Sequence, residues 1–300
     1  MLRAMPGVAS DDISSKLNVR GAAPRDTQVR LDGMELFEPY HLQDQDGALG
    51  VVDLESLGSM EMITGGYPAD MGGRMGSILD MRTRPPPAEG KRTAAGLSLS
   101  SIFFSSGGTF AGDRGQWLAT ARRGFLDIVL DITGVEDKLS PRYWDGLGRV
   151  QLLIAPEHLV SVEVLAAGDD GLWSDEEDTG AHLESNWSSG YAWATWQASL
   201  GPRLRAETLV SLGRLSRDRT GNVVKPDDGV FTPLLGDVRD FATYDFAGIR
   251  QDWRVMLSEN LVLKTGFDLR YGSAEYDYAN SATWYFLDEN GRISTREDRS

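Results

Sequence analysis

Residues 261–272 read LVLKTGFDLRYG, and this stretch decides the fold class because apolar and polar side chains alternate along it. The odd positions are mostly apolar, as at Leu263 and Phe267, whereas the even positions include Lys264 and Asp268. Successive side chains of a strand point to opposite faces of its sheet. The alternation therefore predicts a strand with one apolar and one polar face.

The same alternation recurs through the second part of the chain. It is found in residues 116–124, 143–154, 160–166, 203–212 and 247–257. With an initial hairpin at about 94–112, these stretches predict about nine or ten antiparallel strands.

The connections between these strands alternate in length. Three of them are short and occupy residues 155–158, 201–202 and 258–260. Long polar connections are expected at about 169–186, at about 217–240 and after about 279. Because successive turns of an antiparallel sheet lie at opposite ends, all short turns share one end, which is typical of outer-membrane β-barrels and not of soluble sandwiches.

Composition excludes several classes of function. The chain carries 45 acidic and 30 basic residues, a net charge of -15, which argues against a nucleic-acid partner. It contains no cysteine and three histidines, so thiolate chemistry and a histidine-rich metal site are not expected. No apolar run approaches the roughly 18 residues that a membrane helix needs. Residues 1–10 lack a signal-peptide pattern, so we expect a signal peptide to be missing from this chain.

A change of composition near residue 85 separates two regions. Residues 1–84 hold no tryptophan and eight of the nine methionines. Residues 85–87 are three consecutive prolines, which remain extended and donate no backbone hydrogen bond. We therefore predict a first domain at 1–84, a linker at 85–92 and a second domain at 93–300.

The first region contains short strands and glycine-rich turns. Residues 27–31 are predicted to form a strand that ends at the tight-turn pair Asp32-Gly33. Residues 57–84 read LGSMEMITGGYPADMGGRMGSILDMRTR, with strands expected at 60–64 and 77–83. Two glycine pairs separate these strands and allow backbone conformations that other residues resist.

In order and spacing, these two stretches resemble the plug domain of TonB-dependent receptors. The resemblance begins at Val19-Arg20-Gly21, continues through residues 29–33 and 57–64, and ends in the glycine-rich segment 65–78. Met71 and Ser77 depart from the residues usual in the family. The motif residues are Arg20, Gly21, Asp32, Gly33, Glu61, Gly65, Gly66, Gly72, Gly73, Arg74 and Gly76.

The resemblance implies a mainly β protein, with a small α/β plug domain followed by antiparallel transmembrane β-barrel strands. Nine or ten strands cannot surround a plug, because barrels with a plugged lumen have about 22 strands. An incomplete barrel is therefore expected, with roughly 400 further residues in an intact relative or a second chain.

The resemblance also implies TonB-dependent active uptake of a scarce substrate, such as a metal chelate, vitamin or glycan, across the bacterial outer membrane. The implied partners are the TonB–ExbB–ExbD complex, through an N-terminal TonB box missing here, and outer-membrane lipid and lipopolysaccharide. No enzyme activity and no cofactor are expected. Two alternatives stay open, namely a signal-transducing receptor and a truncated or split gene product without function.

Family position suggests that the loop 34–43 faces the substrate path. Its candidate ligand contacts are Phe37, Glu38, Tyr40 and His41. The alternative is a plug loop that simply packs against the barrel wall.

Further candidates come from charged and aromatic residues. In the acidic stretch 169–186, weak metal-ligand candidates are Asp175, Glu176, Glu177 and Asp178, although such charge runs are usually solvated loops. Arg20, Glu61 and Arg74 are candidates for plug–wall ion pairs. Their possible partners on the wall are Arg149, Glu163, Arg205, Asp268 and Arg270. Ordinary surface pairs remain equally compatible with these residues. Interfacial aromatic girdles are expected to include Trp187, Tyr191, Trp193 and Trp196.

Overall fold

The computed structural model divides the protein into two parts, which we name the plug (residues up to Thr83) and the wall (the sheet that begins at Lys91). It describes residues 8–9, 16, 18–45, 47, 49–73, 76–87, 90–98, 100–128, 139–175, 181–225, 234–287 and 293–299.

The plug is built on a four-stranded sheet with strand order β4-β3-β8-β7. Its strands are β3 (Thr27–Leu31), β4 (Met34–Leu36), β7 (Leu57–Ile63) and β8 (Ser77–Thr83). β3 pairs in parallel with β8, and the other pairs are antiparallel. The strands predicted at 27–31 and 77–83 are confirmed, and the one predicted at 60–64 begins three residues earlier.

Two further pairs of short strands complete the plug. β1 (Val8–Ala9) pairs with β2 (Asn18–Val19), and β5 (Tyr40–His41) pairs with β6 (Leu49–Gly50). Short 3-10 helices cover Pro24–Asp26, Gln43–Gln45 and Leu54–Ser56.

The predicted turn at Asp32-Gly33 is confirmed and joins β3 to β4. Both residues have left-handed backbone angles, with φ of 45° at Asp32 and 89° at Gly33. The Asp32 carboxylate also accepts a hydrogen bond of 3.1 Å from the backbone N–H of Thr83. The turn therefore ties the β3–β4 hairpin to the end of β8.

The wall is an antiparallel sheet of ten strands in the described residues, arranged in the order of the sequence. This confirms the predicted mainly β class and strand number. The strands are β9 (Lys91–Leu97), β10 (Ser101–Phe110), β11 (Gly115–Gly124), β12 (Leu139–Ala155), β13 (His158–Asp175), β14 (Ala181–Ser199), β15 (Leu204–Lys225), β16 (Leu234–Ser258), β17 (Leu261–Leu287) and β18 (Ile293–Arg299).

Most of the residues predicted to form long polar connections are strand instead. β13 continues to Asp175 and β14 begins at Ala181, and β15 and β16 extend similarly to Lys225 and from Leu234. The expectation was wrong because a strand needs only a neighbouring strand with which to form backbone hydrogen bonds. Where neither face of a strand contacts an apolar environment, polar side chains are tolerated on both faces. The three short turns predicted at 155–158, 201–202 and 258–260 lie at one end of the wall, which we call the short-turn end. The equally short connection between β9 and β10 lies at the other end, so the prediction that all short turns share one end is wrong for that hairpin.

The two faces of the wall differ in what they contact. Along β13 and β15, alternate apolar side chains point away from the plug, and Val162, Val164, Val210 and Leu212 are about half exposed. The intervening side chains point toward the plug and are buried. Among the described residues, no helix is long and apolar enough to cross a membrane.

A single apolar core joins the plug to the inner face of the wall. Plug residues such as Leu31, Val51 and Leu79 share it with wall residues such as Leu165 and Phe246. Each fully buried side chain of this kind contributes about 1.5–3 kcal/mol, so apolar packing holds the plug in place.

The aromatic prediction is wrong for three of its four residues. Tyr191 and Trp193 are buried in the core between plug and wall, and Trp187 also faces inward, where its indole N–H hydrogen-bonds Asp44. Trp196 alone of the four lies on the outer face. Sequence alternation does not show which face turns inward when aromatic residues occupy both.

Candidate functional site

A cavity of about 250 Å³ lies between the plug and the wall, toward the end opposite the short turns. We call it the outer cavity. Its plug side is formed by Glu38, Tyr40, His41, Gln43 and Val51. Its wall side is formed by Ala167, Gly168, Asp169, Trp187, Ser188, Ser189, Leu215, Ser216, Arg217, Ala242, Thr243, Tyr244, Ala274, Glu275 and Tyr276.

Three of the four predicted ligand contacts lie at this cavity, namely Glu38, Tyr40 and His41. Phe37 does not line it. The Phe37 ring packs edge-on against Tyr244 and Phe246 of β16, with ring centroids 5.7 and 4.9 Å apart. For Phe37 the structure therefore shows the alternative role, packing against the wall.

Glu38 is held in the cavity by bonds on both sides. Its backbone N–H donates to the Tyr191 hydroxyl at 3.1 Å, and its carboxylate accepts from the Gln43 side chain at 3.1 Å. Burial raises the pKa of Glu38, and the positive charges of Arg217 and Lys16 partly oppose this effect. Burial also raises the pKa of Tyr40. The plug therefore presents one partly desolvated carboxylate and one phenol to the cavity.

His41 is fully buried between two wall carboxylates. Its Nδ1 lies 2.5 Å from Asp169 Oδ1, and its Nε2 lies 3.1 Å from Asp145 Oδ2. Burial alone would lower the pKa of His41, but the hydrogen bonds and charges of Asp145 and Asp169 raise it above its ordinary value. Asp169 Oδ2 also accepts the backbone N–H of Leu42 at 3.0 Å.

A second polar cluster connects the plug to the wall through Asp44. This carboxylate accepts hydrogen bonds from the Ser185 hydroxyl, the Trp187 indole N–H at 2.9 Å, and Arg219 at 3.0 Å. Arg219 also binds Asp240, which is 1% exposed. A chain of charges thus runs from the rim of the cavity into the wall.

Wall arginines contact the plug at several other points. Arg149 donates to the Thr83 hydroxyl at 2.6 Å, and Arg270 forms an ion pair with the buried carboxylate of Glu35. Arg122 and Arg250 donate to plug backbone carbonyls, at 2.5 and 2.9 Å. Arg149 and Arg270 were expected to contact the plug, but their partners are not those expected.

The predicted plug charges do not make these contacts. Glu61 and Arg20 are exposed, and neither has an ion pair within the described part of the chain. Arg74 lies outside the described residues. β7 is an edge strand of the plug sheet, and its Met60 and Met62 pack on the core, which leaves the intervening Glu61 exposed. Arg205 is also exposed, and Asp268 pairs with Arg270 at 3.0 Å.

Among the predicted motif glycines, two have an evident local role. Gly33 completes the β3–β4 turn with a positive φ. A Cβ on Gly76 would lie 2.9 Å from Ala22 Cβ and 3.1 Å from Asp26 Cβ, so this position has no room for a side chain. The remaining motif glycines lie in exposed turns and are Gly21, Gly65, Gly66, Gly72 and Gly73.

The predicted metal ligands fall at the edge of the described chain. Asp175 closes β13, and Glu176, Glu177 and Asp178 lie outside the described residues. Within the residues that are described, no cluster of three or more histidine and acidic side chains is arranged to hold a metal ion.

The wall carboxylates that bind the plug at His41 and Leu42 were not predicted from the sequence. Asp145 lies at a polar position of the alternating stretch 143–154, but nothing local in the sequence links it to His41. Asp169 was included in the acidic connection, whereas in the structure it is a buried strand residue. Their shared function depends on strand register, which spacing alone does not reveal.

Comparison with known proteins identifies a match for the plug. A family model described as TonB-dependent Receptor Plug Domain matches residues 1–77. A search of the curated protein sequences returns no match. The predicted resemblance is therefore confirmed for the first region of the chain.

Solved structures match the fold of the chain as a whole. The outer membrane transporter YddB from Escherichia coli is 13% identical with a TM-score of 0.63, and the match covers 100% of this chain and 50% of that one. The ferric enterobactin receptor PfeA from Pseudomonas aeruginosa is 15% identical with a TM-score of 0.51, covering 96% and 57%. The siderophore receptor PirA from Acinetobacter baumannii is 13% identical with a TM-score of 0.50, covering 96% and 56%. The chain thus spans about half the length of the structures it matches, and shares their plug-and-barrel fold.

Proposed function

We propose that this chain, whose first 77 residues match a TonB-dependent receptor plug domain, is part of an outer-membrane transporter that takes up a scarce substrate. The wall is the transmembrane barrel part, and its outward apolar face contacts lipid. The end with the short turns faces the periplasm, and the outer cavity opens toward the cell exterior.

The observation that carries this proposal is the outer cavity itself. Its lining comes from both the plug and wall strands β13–β17, so a bound substrate touches both parts at once. A ligand that touches two bodies can change the free energy of their association, because it binds the two arrangements differently. This is the property needed for a plug that must move to let a substrate pass.

Within this proposal, Glu38 and Tyr40 form the plug side of the substrate site, and the fully buried His41 positions the segment that carries them. Aromatic side chains and a few placed polar groups are typical of small-molecule sites. Trp187, Tyr244 and Tyr276 supply rings on the wall side. The motif glycines and Arg20 shape the plug, and we assign them no contact with substrate.

Energy for release is proposed to come from the TonB–ExbB–ExbD complex, acting on the plug from the periplasm. A second cavity, of about 1240 Å³, lies at the short-turn end between plug and wall. Acidic and basic side chains of both parts line it, including Arg30, Asp70, Arg254 and Lys264. Such polar surfaces separate at lower cost than a dry apolar interface.

The test uses the full-length gene product in a bacterial strain that lacks its own receptors for the compounds offered. Membranes are fractionated, and the outer-membrane fraction is run with and without boiling to detect a heat-modifiable barrel. Cells are then grown with ferric catecholates, ferric hydroxamates, cobalamin or oligosaccharides as the limiting nutrient, with TonB functional or deleted. Growth on one compound that requires both the gene and TonB supports the proposal, and uptake that persists without TonB contradicts it.

Two plug glutamates provide a matched pair of variants for the binding site. Glu38→Gln removes a carboxylate at the cavity and is expected to weaken substrate binding about tenfold, the typical effect of losing a charged hydrogen bond. Glu61→Gln alters an exposed glutamate on β7 and is expected to leave binding unchanged. If the two variants weaken substrate binding equally, Glu38 is not part of the substrate site.

A further inference from the structure

We propose that protonated His41 is a latch that fastens the outward loop of the plug to wall strands β12 and β13, and that removing its proton releases this loop. The loop comprises, among the described residues, 37–45, 47 and 49–53. The inference rests on the proposed function only because this loop lines the outer cavity. The latch itself can be measured without any substrate.

Strand register creates a gap of the right size for an imidazole ring. Tyr143 of β12 lies directly opposite Asp169 of β13, so Asp145 and Asp169 occupy diagonal positions on one face of the wall. Diagonal positions of an antiparallel pair are about 7–8 Å apart, too far for a direct contact between two short side chains. The His41 ring fills this gap, with one nitrogen near each carboxylate.

The geometry requires the charged form of His41. A neutral imidazole donates from one nitrogen and presents a lone pair at the other. Here both nitrogens point at carboxylate oxygens, and Asp169 is already an acceptor for the Leu42 N–H. A neutral ring would therefore place a lone pair against a carboxylate in a buried site, which is strongly unfavourable.

The charge balance of the cluster also favours the protonated form of His41. Arg122 of β11 lies opposite Asp145 in the register and donates to it at 2.6 Å, while a second nitrogen of Arg122 donates to the Gly50 carbonyl. With His41 charged, two cations face two carboxylates, and without the proton one buried negative charge is left over. Buried charges are tolerated when they are paired and hydrogen-bonded.

The other groups that face His41 do not supply an alternative partner. The Tyr143 ring of β12 packs against the His41 ring at a tilt of 40°, with centroids 4.8 Å apart, and also lies under the Arg122 guanidinium at 5.4 Å. On the loop itself, Glu38 bonds Gln43 and Tyr191, and Tyr40 lines the outer cavity. The two wall carboxylates are therefore the groups that hold the ring.

The sign of the pH dependence follows from the direction of the shift. The pKa of His41 is raised in the folded protein, so the latch is fully formed below the ordinary histidine pKa. Its stabilisation is lost as the pH rises through the raised value. An alkaline shift, and not mild acid, is thus expected to release the loop.

The first measurement is nitrogen NMR of the intact protein in detergent micelles with 15N-labelled histidine. The chain has only three histidines, so three ring signals are expected, and His41→Gln and His182→Gln assign them. The ordinary histidine pKa is about 6.5, so pH 8 lies well above it. At this pH His41 is expected to carry protons on both nitrogens. A His41 signal that shows only one protonated nitrogen at this pH overturns the proposal.

The second measurement links the proton to the loop. Amide exchange at Leu42, whose N–H bonds Asp169, is compared with exchange at Leu31, buried in strand β3. Protection of Leu42 is expected to fall about tenfold or more as His41 loses its proton, with Leu31 unchanged. The wild-type protein suffices, so a misfolded variant cannot obscure the result. Protection at Leu42 that stays constant through the titration overturns the latch, whatever the transport assays show.

Discussion

Replacing Phe37 by alanine tests whether this residue anchors the plug or contacts the substrate. Its ring meets Phe246 at 4.9 Å and 71°, and Tyr244 at 5.7 Å and 86°, both edge-to-face geometries. The guanidinium of Arg270 lies 5.8 Å from the same ring. Phe37 packs against the core shared by plug and wall and is itself partly buried.

The magnitude follows from these contacts. Each aromatic pair contributes about 0.5–1.5 kcal/mol beyond burial, and a cation–π contact adds about 0.5–1 kcal/mol. Full burial of a Phe side chain is worth about 1.5–3 kcal/mol, of which a half-buried ring realises about half. Since such terms are not fully additive, Phe37→Ala is expected to lower the free energy of plug docking by about 2–4 kcal/mol.

The assay is urea titration of the protein in detergent micelles, followed by tryptophan fluorescence, because Trp193 lies in the same core as Phe37. With a urea dependence of about 2 kcal/mol per molar, the midpoint of the plug transition should fall by about 1–2 M. The control is Phe110→Ala, since Phe110 is 40% exposed on the wall and should shift the midpoint little. Equal midpoints for the two variants, with substrate binding lost in Phe37→Ala, would refute the anchoring role.

Three further substitutions, two of them with a matched control, test the wall network and the plug turns by the same titration. Asp240→Asn removes a carboxylate that is 1% exposed and is bound by two arginines, so it should lower the free energy of unfolding by about 2–3 kcal/mol. Asp277→Asn alters an exposed ion pair and should lower the free energy of unfolding by less than about 1 kcal/mol. Gly76→Ala forces a Cβ to 2.9 Å from a neighbouring side chain and should cost about 1–3 kcal/mol, whereas Gly72→Ala meets open space and should change stability by less than about 0.5 kcal/mol. Gly33→Ala places a side chain at a φ of 89° and should cost about 1–2 kcal/mol. An Asp277→Asn effect as large as that of Asp240→Asn, or a harmless Gly76→Ala, would contradict the packing described here.

The wall was largely predictable from the sequence because its signal is local. Period-2 alternation in stretches such as 261–272 reports one apolar face, and short turns at 156–157 and 259–260 fix the antiparallel order. The ends of the strands were not predictable. Beyond the stretch in which one face is apolar, both faces of β13 and β15 are polar. The sequence therefore shows no pattern that marks where these strands end.

The site was only partly predictable. The plug segment that lines the outer cavity was located from the order of family motifs, and Glu38, Tyr40 and His41 do lie there. The contacts through which wall residues hold this segment were not predicted. His41 meets Asp145 and Asp169 across 104 and 128 residues of chain, and their meeting depends on a register that a single sequence does not specify.

The central claim, a wall that spans a membrane with the plug against its inner face, is tested most directly by spin labels along β15. The chain has no cysteine, so single cysteines can be placed at Leu209, Val210, Ser211 and Leu212 in turn and labelled with a nitroxide in the full-length protein in lipid. Val210 and Leu212 are 49% and 59% exposed on the outer face, while Leu209 and Ser211 are 4% and 9% exposed toward the plug. We expect labels at 210 and 212 to be reached by oxygen dissolved in lipid and not by a water-soluble nickel complex, and labels at 209 and 211 to be immobilised and reached by neither. Access of the nickel complex to 210 and 212, with no alternation along the strand, would contradict the account.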